Sequence, residues 1–188
     1  MGKTEQRFVL DRQQAALVLV DQQEKIVAGM HPELAAAMVA NTRLLLDGFR
    51  AVALPVLATE QYPQGLGPTV PALAAGLAPL EKTEFSCAGV PAFLEELEQR
   101  GIRQLLLTGA ESHVCVYLTA IDLLDRGYQV HVARDAVASR FLTDYNTALA
   151  SLAQAGAVIT TTEMALFQLV RRAGTPDFKA VAKLVRNR

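Results

Sequence analysis

Apolar and polar positions along the chain form two kinds of block, and the two kinds alternate. Short, continuous runs of aliphatic and β-branched residues are typical of buried parallel strands. Predicted strands of this kind cover residues 15–20, 51–57, 82–85, 105–108, 129–133 and 157–160. Longer stretches with apolar residues at helical spacing predict helices over 29–49, 91–99, 113–125 and 143–155, with one or two more closing the chain.

This alternation determines the predicted fold class. Strands separated by helices favour βαβ units, and such units build a mostly parallel sheet with helices on both faces. We therefore predict an α/β fold: a three-layer α/β/α, doubly wound and mostly parallel sheet of five to six strands. The periodicity fails over 59–80, where prolines and glycines accumulate. A long, fairly apolar loop of this kind often forms a lid or a binding wall.

Composition narrows the class of protein further. With 188 residues, 51% of them hydrophobic, the chain has the size of one compact domain, 1–188, with a sizeable core. The net charge of −1 and the scattered basic residues do not predict a nucleic-acid partner. The polar N-terminus lacks the apolar stretch of a signal peptide, and no run approaches the length of a membrane span. We expect a soluble, cytoplasmic protein with reduced cysteines and no membrane partner.

Three polar residues stand where a parallel sheet places its ligands, at the carboxyl ends of strands. They are Asp21 after the first strand, Lys82 in the segment LEKTEF, and Cys115 just past the strand LLLT. Gly109 permits a tight turn before the next helix, and Ser112 is a good N-cap, which puts Cys115 at the third helical position.

That position favours a nucleophilic thiol. The positive end of a helix dipole stabilises a thiolate, and the free amides of a first turn can stabilise an oxyanion. A capping Ser112 would compete for the Cys115 N–H, and the sequence does not decide between the two uses.

Each of these residues also has an ordinary structural interpretation. Cys115 alone could be a small core residue, Asp21 a turn cap, and Lys82 an exposed lysine between two glutamates. Cys87 follows the Lys82 segment without a helix start to activate it, so we interpret it as structural. The histidines form no metal-ligand pattern and no nucleotide motif is present, so we predict no metal and no cofactor.

Three segments carry a resemblance to a known family. They are VLVDQQ around Asp21, LEKTEFSC around Lys82, and LLLTGAESHVCVYLTAIDLLDRGYQVHVARDAVASR around Cys115. Together they resemble the isochorismatase-like cysteine hydrolase superfamily, which includes nicotinamidases, carbamoylsarcosine amidases and ureidoacrylate amidases. The segment TEQYPQGLG is similar to one found in isochorismatase domain-containing hydrolases. The likeness runs from residue 15 to about residue 167.

The resemblance implies a role for each candidate residue. Cys115 would attack a substrate carbonyl, Asp21 would take the thiol proton and pass it on, and Lys82 would orient the charged partners. The family pattern also implies a cis peptide bond between Ala110 and Glu111, which would aim the backbone N–H groups of Glu111 and Cys115 at the oxyanion.

Two departures from the family narrow the expected substrate. Metal-binding nicotinamidases carry an Asp and histidines after the second strand, where this chain reads ATEQYP. This difference argues against nicotinamide and favours a metal-free site. Isochorismatases proper cleave a vinyl ether without a cysteine nucleophile, so the presence of Cys115 separates this chain from them.

We therefore expect a hydrolase that cleaves a C–N, amide-type bond of a small molecule through a thioester. Two alternatives stay open: hydrolysis of a vinyl ether by Asp21 and Lys82 alone, and a non-catalytic oligomeric binding protein. Tyr62, Phe85 and Tyr117 are predicted pocket walls by their position. The family resemblance implies a homo-oligomer.

Overall fold

A six-stranded, all-parallel sheet forms the centre of the computed structural model, which describes residues 7–186. Its strands lie in the order β3-β2-β1-β4-β5-β6. The strands are β1 (Ala15–Val20), β2 (Val56–Gln61), β3 (Leu80–Lys82), β4 (Gln104–Ala110), β5 (Gln129–Ala138) and β6 (Val158–Thr160). The predicted α/β class with a parallel sheet is confirmed.

Helices cover both faces of this sheet. They are α1 (Glu24–Ala28), α2 (Pro32–Ala51), α3 (Pro63–Leu66), α4 (Pro71–Ala74), α5 (Pro91–Gln99), α6 (Cys115–Asp125), α7 (Leu142–Ala155), α8 (Thr162–Val170) and α9 (Pro176–Arg186). Helices α5, α6 and α7 pack on one face, against Ala16, Val18 and Val20 of β1. Helices α2, α8 and α9 pack on the other face, against Leu17 and Leu19. Every residue of β1 is buried, as a strand covered on both faces requires.

The connections place a cleft beside the central strand. After β1 the chain crosses through α2 on one face, whereas after β4 it crosses through α6 on the opposite face. Because β1 and β4 are neighbours, their connections diverge at the carboxyl ends of the two strands. Such a point of divergence is where open α/β sheets bind their ligands.

The predicted second strand over 51–57 is wrong in its bounds. Helix α2 continues to Ala51, and β2 begins only at Val56. Gly48 lies inside α2 and does not end it. An added Cβ there would collide with Leu166, so this glycine permits the close packing of α2 against α8. The apolar residues that follow fit a helix end as well as a strand start, so the sequence pattern misplaced the boundary.

The segment over 59–80 is also more ordered than a loop. It contains the end of β2 and the short helices α3 and α4, and an isolated bridge pairs Thr69 with Gln23. The short strand predicted over 82–85 lies slightly earlier, as Leu80–Lys82. Among residues 7–186, no helix is long and apolar enough to cross a membrane.

Candidate active site

Asp21 lies directly after β1 and is completely buried. Its backbone adopts a positive φ of 48°, which turns the chain out of the strand at this residue. One carboxylate oxygen, Oδ1, accepts a hydrogen bond of 2.7 Å from Thr59 Oγ1 of the neighbouring strand β2. The other, Oδ2, lies 2.6 Å from Lys82 Nζ. Both oxygens of this buried carboxylate therefore have partners.

Lys82 ends strand β3, and its ammonium group is also buried. Besides Asp21, it donates to Gln61 Oε1 at 2.6 Å and to the carbonyl oxygens of Glu84 and Phe85 at 3.2 and 3.1 Å. A buried ion pair is stable only when its remaining hydrogen-bonding groups are satisfied, and this ammonium meets that condition. The structure brings Asp21 and Lys82 together, and the alternative of an exposed lysine is wrong.

Two glutamines hold the Lys82 ammonium in place. The backbone N–H of Gln61, the last residue of β2, donates a hydrogen bond of 2.7 Å to Gln23 Oε1. Gln23 Nε2 in turn donates to the Gln61 carbonyl at 3.0 Å and to the Gly67 carbonyl at 2.7 Å. Gln61 Nε2 donates to the Thr83 carbonyl at 2.7 Å, which fixes the orientation of the amide that receives Lys82.

Cys115 is the first residue of α6, beside the carboxyl end of β4. The expectation that Ser112 caps this helix is wrong, because its hydroxyl pairs instead with the hydroxyl of Ser139 at the end of β5. The helix consequently begins at Cys115 rather than at residue 113, so the thiol sits at the first helical position and not the third. The competition between Ser112 and an oxyanion for the Cys115 N–H therefore does not arise.

Gly109 makes the close approach of β4 to β1 feasible. Its φ is +110°, and an added Cβ would lie only 2.0 Å from the carbonyl oxygen of Val20. A register irregularity between β4 and β5 falls at the same place, between Leu107 and Gly109. The glycine therefore lets the two strand ends carrying Asp21 and Cys115 come close together, a role beyond the tight turn predicted for it.

The protonation of the Cys115 thiol differs from the expectation. Burial raises its pKa well above the ordinary value, and the negative charge of Asp21 together with a hydrogen bond to that carboxylate raises it further. The positive charge of Lys82 lowers the pKa of the thiol, but by less than burial and Asp21 raise it. This raised pKa favours a resting thiol rather than the thiolate expected at a helix start. The site holds a neutral thiol beside a carboxylate that can accept its proton.

The turn between β4 and α6 supplies backbone donors beside the thiol. The peptide bond between Ala110 and Glu111 is cis, as the family resemblance implied. Within the described part of the chain, no group accepts a hydrogen bond from the backbone N–H of either Glu111 or Cys115. Both N–H groups therefore remain available to a ligand.

A cavity of about 390 Å³ opens in front of Cys115. This volume lies toward the small end of the range of ligand pockets and suits a small molecule. Its wall is mostly apolar, with charged residues at the sides. The lining consists of Lys25, Ile26, Gly29, Met30, Gln61, Leu66, Phe85, Glu111, Val114, Cys115 and Arg140.

The aromatic residues predicted as pocket walls are placed differently from one another. Phe85 lines the Cys115 cavity. Tyr62 lies outside that lining, is exposed, and packs its ring against Gly65. Tyr117 faces a separate groove of α6 and α7, where its hydroxyl lies 3.0 Å from Ser151 Oγ.

Cys87 lies behind the cavity rather than on its wall. It is fully buried, and its Sγ contacts Thr59 Oγ1 at 3.5 Å. Burial raises the pKa of its thiol, and the charge of Asp21 adds to this effect. This surrounding agrees with the structural interpretation of Cys87. Over residues 7–186, no three His, Cys, Asp or Glu side chains are grouped so that they could hold a metal ion.

The fold is that of the isochorismatase-type hydrolases. The family model described as the isochorismatase domain matches residues 15–164. The chain therefore belongs to the isochorismatase domain family.

Relatives agree with this assignment. The chain is 47% identical to isochorismatase domain-containing protein 2 of Bos taurus, over 90% of this chain and 82% of that protein. The Homo sapiens protein of the same name is 46% identical, over 92% of this chain and 83% of its own length.

Solved structures show the same fold. A protein from Caenorhabditis elegans described as MAR1 ribonuclease superimposes with a TM-score of 0.88 at 38% identity, covering 95% of this chain and 92% of that one. The YcaC gene product of Escherichia coli, described as an octameric hydrolase of unknown specificity, gives a TM-score of 0.85 at 25% identity, covering 95% and 90%.

Sequence reasoning missed several residues of the site. Thr59 and Gln61 were overlooked because the second strand was placed too early, so that its carboxyl end fell at residue 57. With the correct strand, the rule that polar residues at strand ends bind ligands would have found both. Lys25, Met30 and Arg140 lie on connections around the cavity, where periodicity gives no signal.

Proposed function

We propose that this protein hydrolyses a C–N, amide-type bond of a small molecule, with Cys115 as the nucleophile. The observation that carries the proposal is the position of the Cys115 thiol, which faces a small cavity and lies against the fully buried Asp21–Lys82 pair. The combination of a nucleophile, an adjacent proton acceptor and a third group that orients the acceptor is the arrangement of covalent hydrolases.

In the first half of the proposed reaction, the Cys115 sulfur attacks the substrate carbonyl carbon as the thiol proton moves to the Asp21 carboxylate. The raised pKa of the thiol supports this order, because the proton stays on sulfur until attack begins. The N–H groups of Glu111 and Cys115 are the proposed donors to the oxyanion. The C–N bond then breaks, Asp21 returns the proton to the leaving nitrogen, and a thioester remains.

In the second half, water attacks the thioester and gives one proton to Asp21. The C–S bond breaks, the carboxylic acid leaves, and the proton returns from Asp21 to the Cys115 sulfur. Lys82 compensates the charge of Asp21 whenever the carboxylate is ionised and holds it toward the thiol. Protons and electrons balance over the cycle, and no cofactor is required.

The test is a panel of small primary and secondary amides, assayed for release of ammonia or amine. For a substrate from this panel, Cys115→Ala should lower kcat by about a thousandfold or more, and wild-type protein quenched during turnover should carry the acyl mass on Cys115. Cys87→Ala is the matched control, since the other cysteine lies off the cavity wall. Undiminished amide cleavage by Cys115→Ala would overturn the proposal.

The vinyl-ether alternative makes the opposite prediction, which a second panel of small vinyl ethers tests. If Asp21 and Lys82 cleave a vinyl ether directly, then Cys115→Ala retains turnover and no thioester forms. A non-catalytic protein would turn over no member of either panel. RNA is assayed separately because the Caenorhabditis elegans relative is described as a ribonuclease, but the small cavity and the scattered basic residues favour a small molecule.

The assembly is a further part of the proposal. The Escherichia coli relative is described as octameric, and closed homo-oligomers are common among proteins of this type. We expect this chain to form a homo-oligomer, which light scattering coupled to size-exclusion chromatography would detect. A monomer at micromolar concentration would contradict this expectation.

A further inference from the structure

The charges of the residues that line the cavity do not sum to zero. Lys25 and Arg140 line it as cations, and Glu111 lines it as an acid. The Glu111 carboxylate is already paired, because its Oε2 accepts hydrogen bonds from Arg140 Nε at 3.1 Å and from the Arg140 backbone N–H at 3.2 Å. His113 Nδ1 lies 3.8 Å from the same oxygen, on the side away from the cavity lining.

Lys25 has no such charged partner. Its Nζ donates to the carbonyl oxygen of Gly65 at 2.7 Å, which is a neutral acceptor, and no carboxylate of residues 7–186 forms an ion pair with it. Behind the cavity, the charges of Asp21 and Lys82 compensate each other. Since the Cys115 thiol is neutral at rest, the cavity lining and the Asp21–Lys82 pair together carry one uncompensated positive charge.

Apart from Gln61, the rest of the wall is apolar. Ile26, Met30, Leu66, Phe85 and Val114 line the cavity together with the thiol and the charged residues. A ligand that fits this wall has a short apolar body and one anionic end. The nucleophile requires a carbonyl at Cys115, so the anionic group must lie at the other end of the molecule.

We propose that the substrate is a short amide carrying a carboxylate at the end remote from the scissile carbonyl, and that Lys25 is the residue that selects it. This inference rests on the proposed amide hydrolysis and adds the class of its substrate. Arg140 adds no net charge, because its guanidinium is paired with Glu111. Because Lys25 is exposed at the mouth, the preference should be moderate, about tenfold, and should weaken as salt is added.

The experiment measures binding rather than turnover. Succinamate and butanamide have the same chain length and the same primary amide, and they differ in the terminal carboxylate. Their dissociation constants are measured by calorimetry or NMR titration on the Cys115→Ala protein, which prevents any reaction. We expect succinamate to bind about ten times more tightly than butanamide, and Lys25→Met to reduce this ratio to about one. Lys25→Glu should invert it.

Lys183→Met is the matched control, because Lys183 is an exposed lysine on α9, remote from the cavity lining. It should leave the ratio unchanged. Equal binding of the two ligands, a preference that survives Lys25→Met, or no binding of succinamate at millimolar concentration would each overturn the inference. The amide panel with Cys115→Ala tests the hydrolysis separately, so a neutral amide cleaved through Cys115 would leave the proposed function intact while the substrate class fails.

Discussion

Two groups of buried polar side chains lie in this sheet, and they differ in how their hydrogen bonds are satisfied. At the carboxyl ends of β1, β2 and β3, the charged atoms of Asp21 and Lys82 have partners at 2.6–3.2 Å. On β5 and β6, His131 and Thr160 are equally buried. Neither ring nitrogen of His131, nor the hydroxyl of Thr160, has a hydrogen-bond partner among the described residues.

Strand register explains why the second group is isolated. His131 and Ala133 point to the same face of β5, and Ala133 pairs with Thr160 of β6. That face packs against apolar side chains of α2, α8 and α9. In the first group, the residues at the ends of β2 and β3 and the loop after β3 bring an amide and two carbonyl groups within reach of the Lys82 ammonium. A buried polar cluster whose groups are paired can be held rigidly, whereas a buried polar group without a partner reduces stability.

The largest effect on stability is expected from a change that breaks the Asp21–Lys82 ion pair. Lys82→Met removes the ammonium and leaves the Asp21 carboxylate buried without its counter-charge, which should lower the free energy of unfolding by about 3–5 kcal/mol. Chemical denaturation measures this change. Adding Asp21→Asn should recover part of the lost stability, because the double variant no longer buries a charge. If the two single changes simply add, the pair is not coupled and the comparison between the two regions loses its basis.

The second largest effect is expected from acid, which should destabilise the protein through His131. Burial lowers the pKa of His131 to about 4, so the folded protein favours the neutral imidazole, whereas the unfolded chain protonates near pH 6.5. The free energy of unfolding therefore receives no penalty from this residue above about pH 6.5. As the pH falls toward 4, protonation of His131 in the unfolded chain lowers it by up to about 3 kcal/mol.

The measurement is the free energy of unfolding between pH 4.5 and pH 7.5 for the wild type and for His131→Leu. The difference between the two proteins should grow in favour of His131→Leu as the pH falls, because leucine has no proton to bind. A difference that stays constant over this range would show that the histidine acquires its proton, or a partner, in the folded state.

The contrast between the two regions also marks what the sequence could predict. Asp21, Lys82 and Cys115 follow or end strands, and the alternation of strands and helices was enough to bring them to one edge of the sheet. The position of β2 was not predictable to the residue, since the apolar run after Gly48 suits either a helix or a strand. This error hid Thr59 and Gln61, which hold the two charges in place.

Other features depend on contacts between residues far apart in the chain. Ser112 has the right chemistry and spacing for a helix cap, but Ser139 at the end of β5 binds its hydroxyl. The raised pKa of Cys115 comes from burial and from the approach of Asp21, neither of which a local sequence window contains. Lys25 and Arg140 line the same cavity only because α1 and the end of β5 converge on it.

The smallest effects come from one substitution made in both regions. Thr59 and Thr160 are each 1% exposed and each lie on a strand, so Thr→Val changes the same hydroxyl to a methyl group in both places. Thr59→Val leaves Asp21 Oδ1 without its donor and should lower the free energy of unfolding by about 1–3 kcal/mol. It should also lower kcat for any amide substrate, because Asp21 is no longer held in position.

Thr160→Val removes a hydroxyl that has no partner among the described residues, so the free energy of unfolding should stay equal or rise by up to about 1 kcal/mol, with kcat unchanged. Thermal and chemical denaturation of the two variants give the comparison directly. Equal losses at both positions would mean that Thr160 has a partner such as a buried water, and that the two regions differ less than their hydrogen bonds suggest.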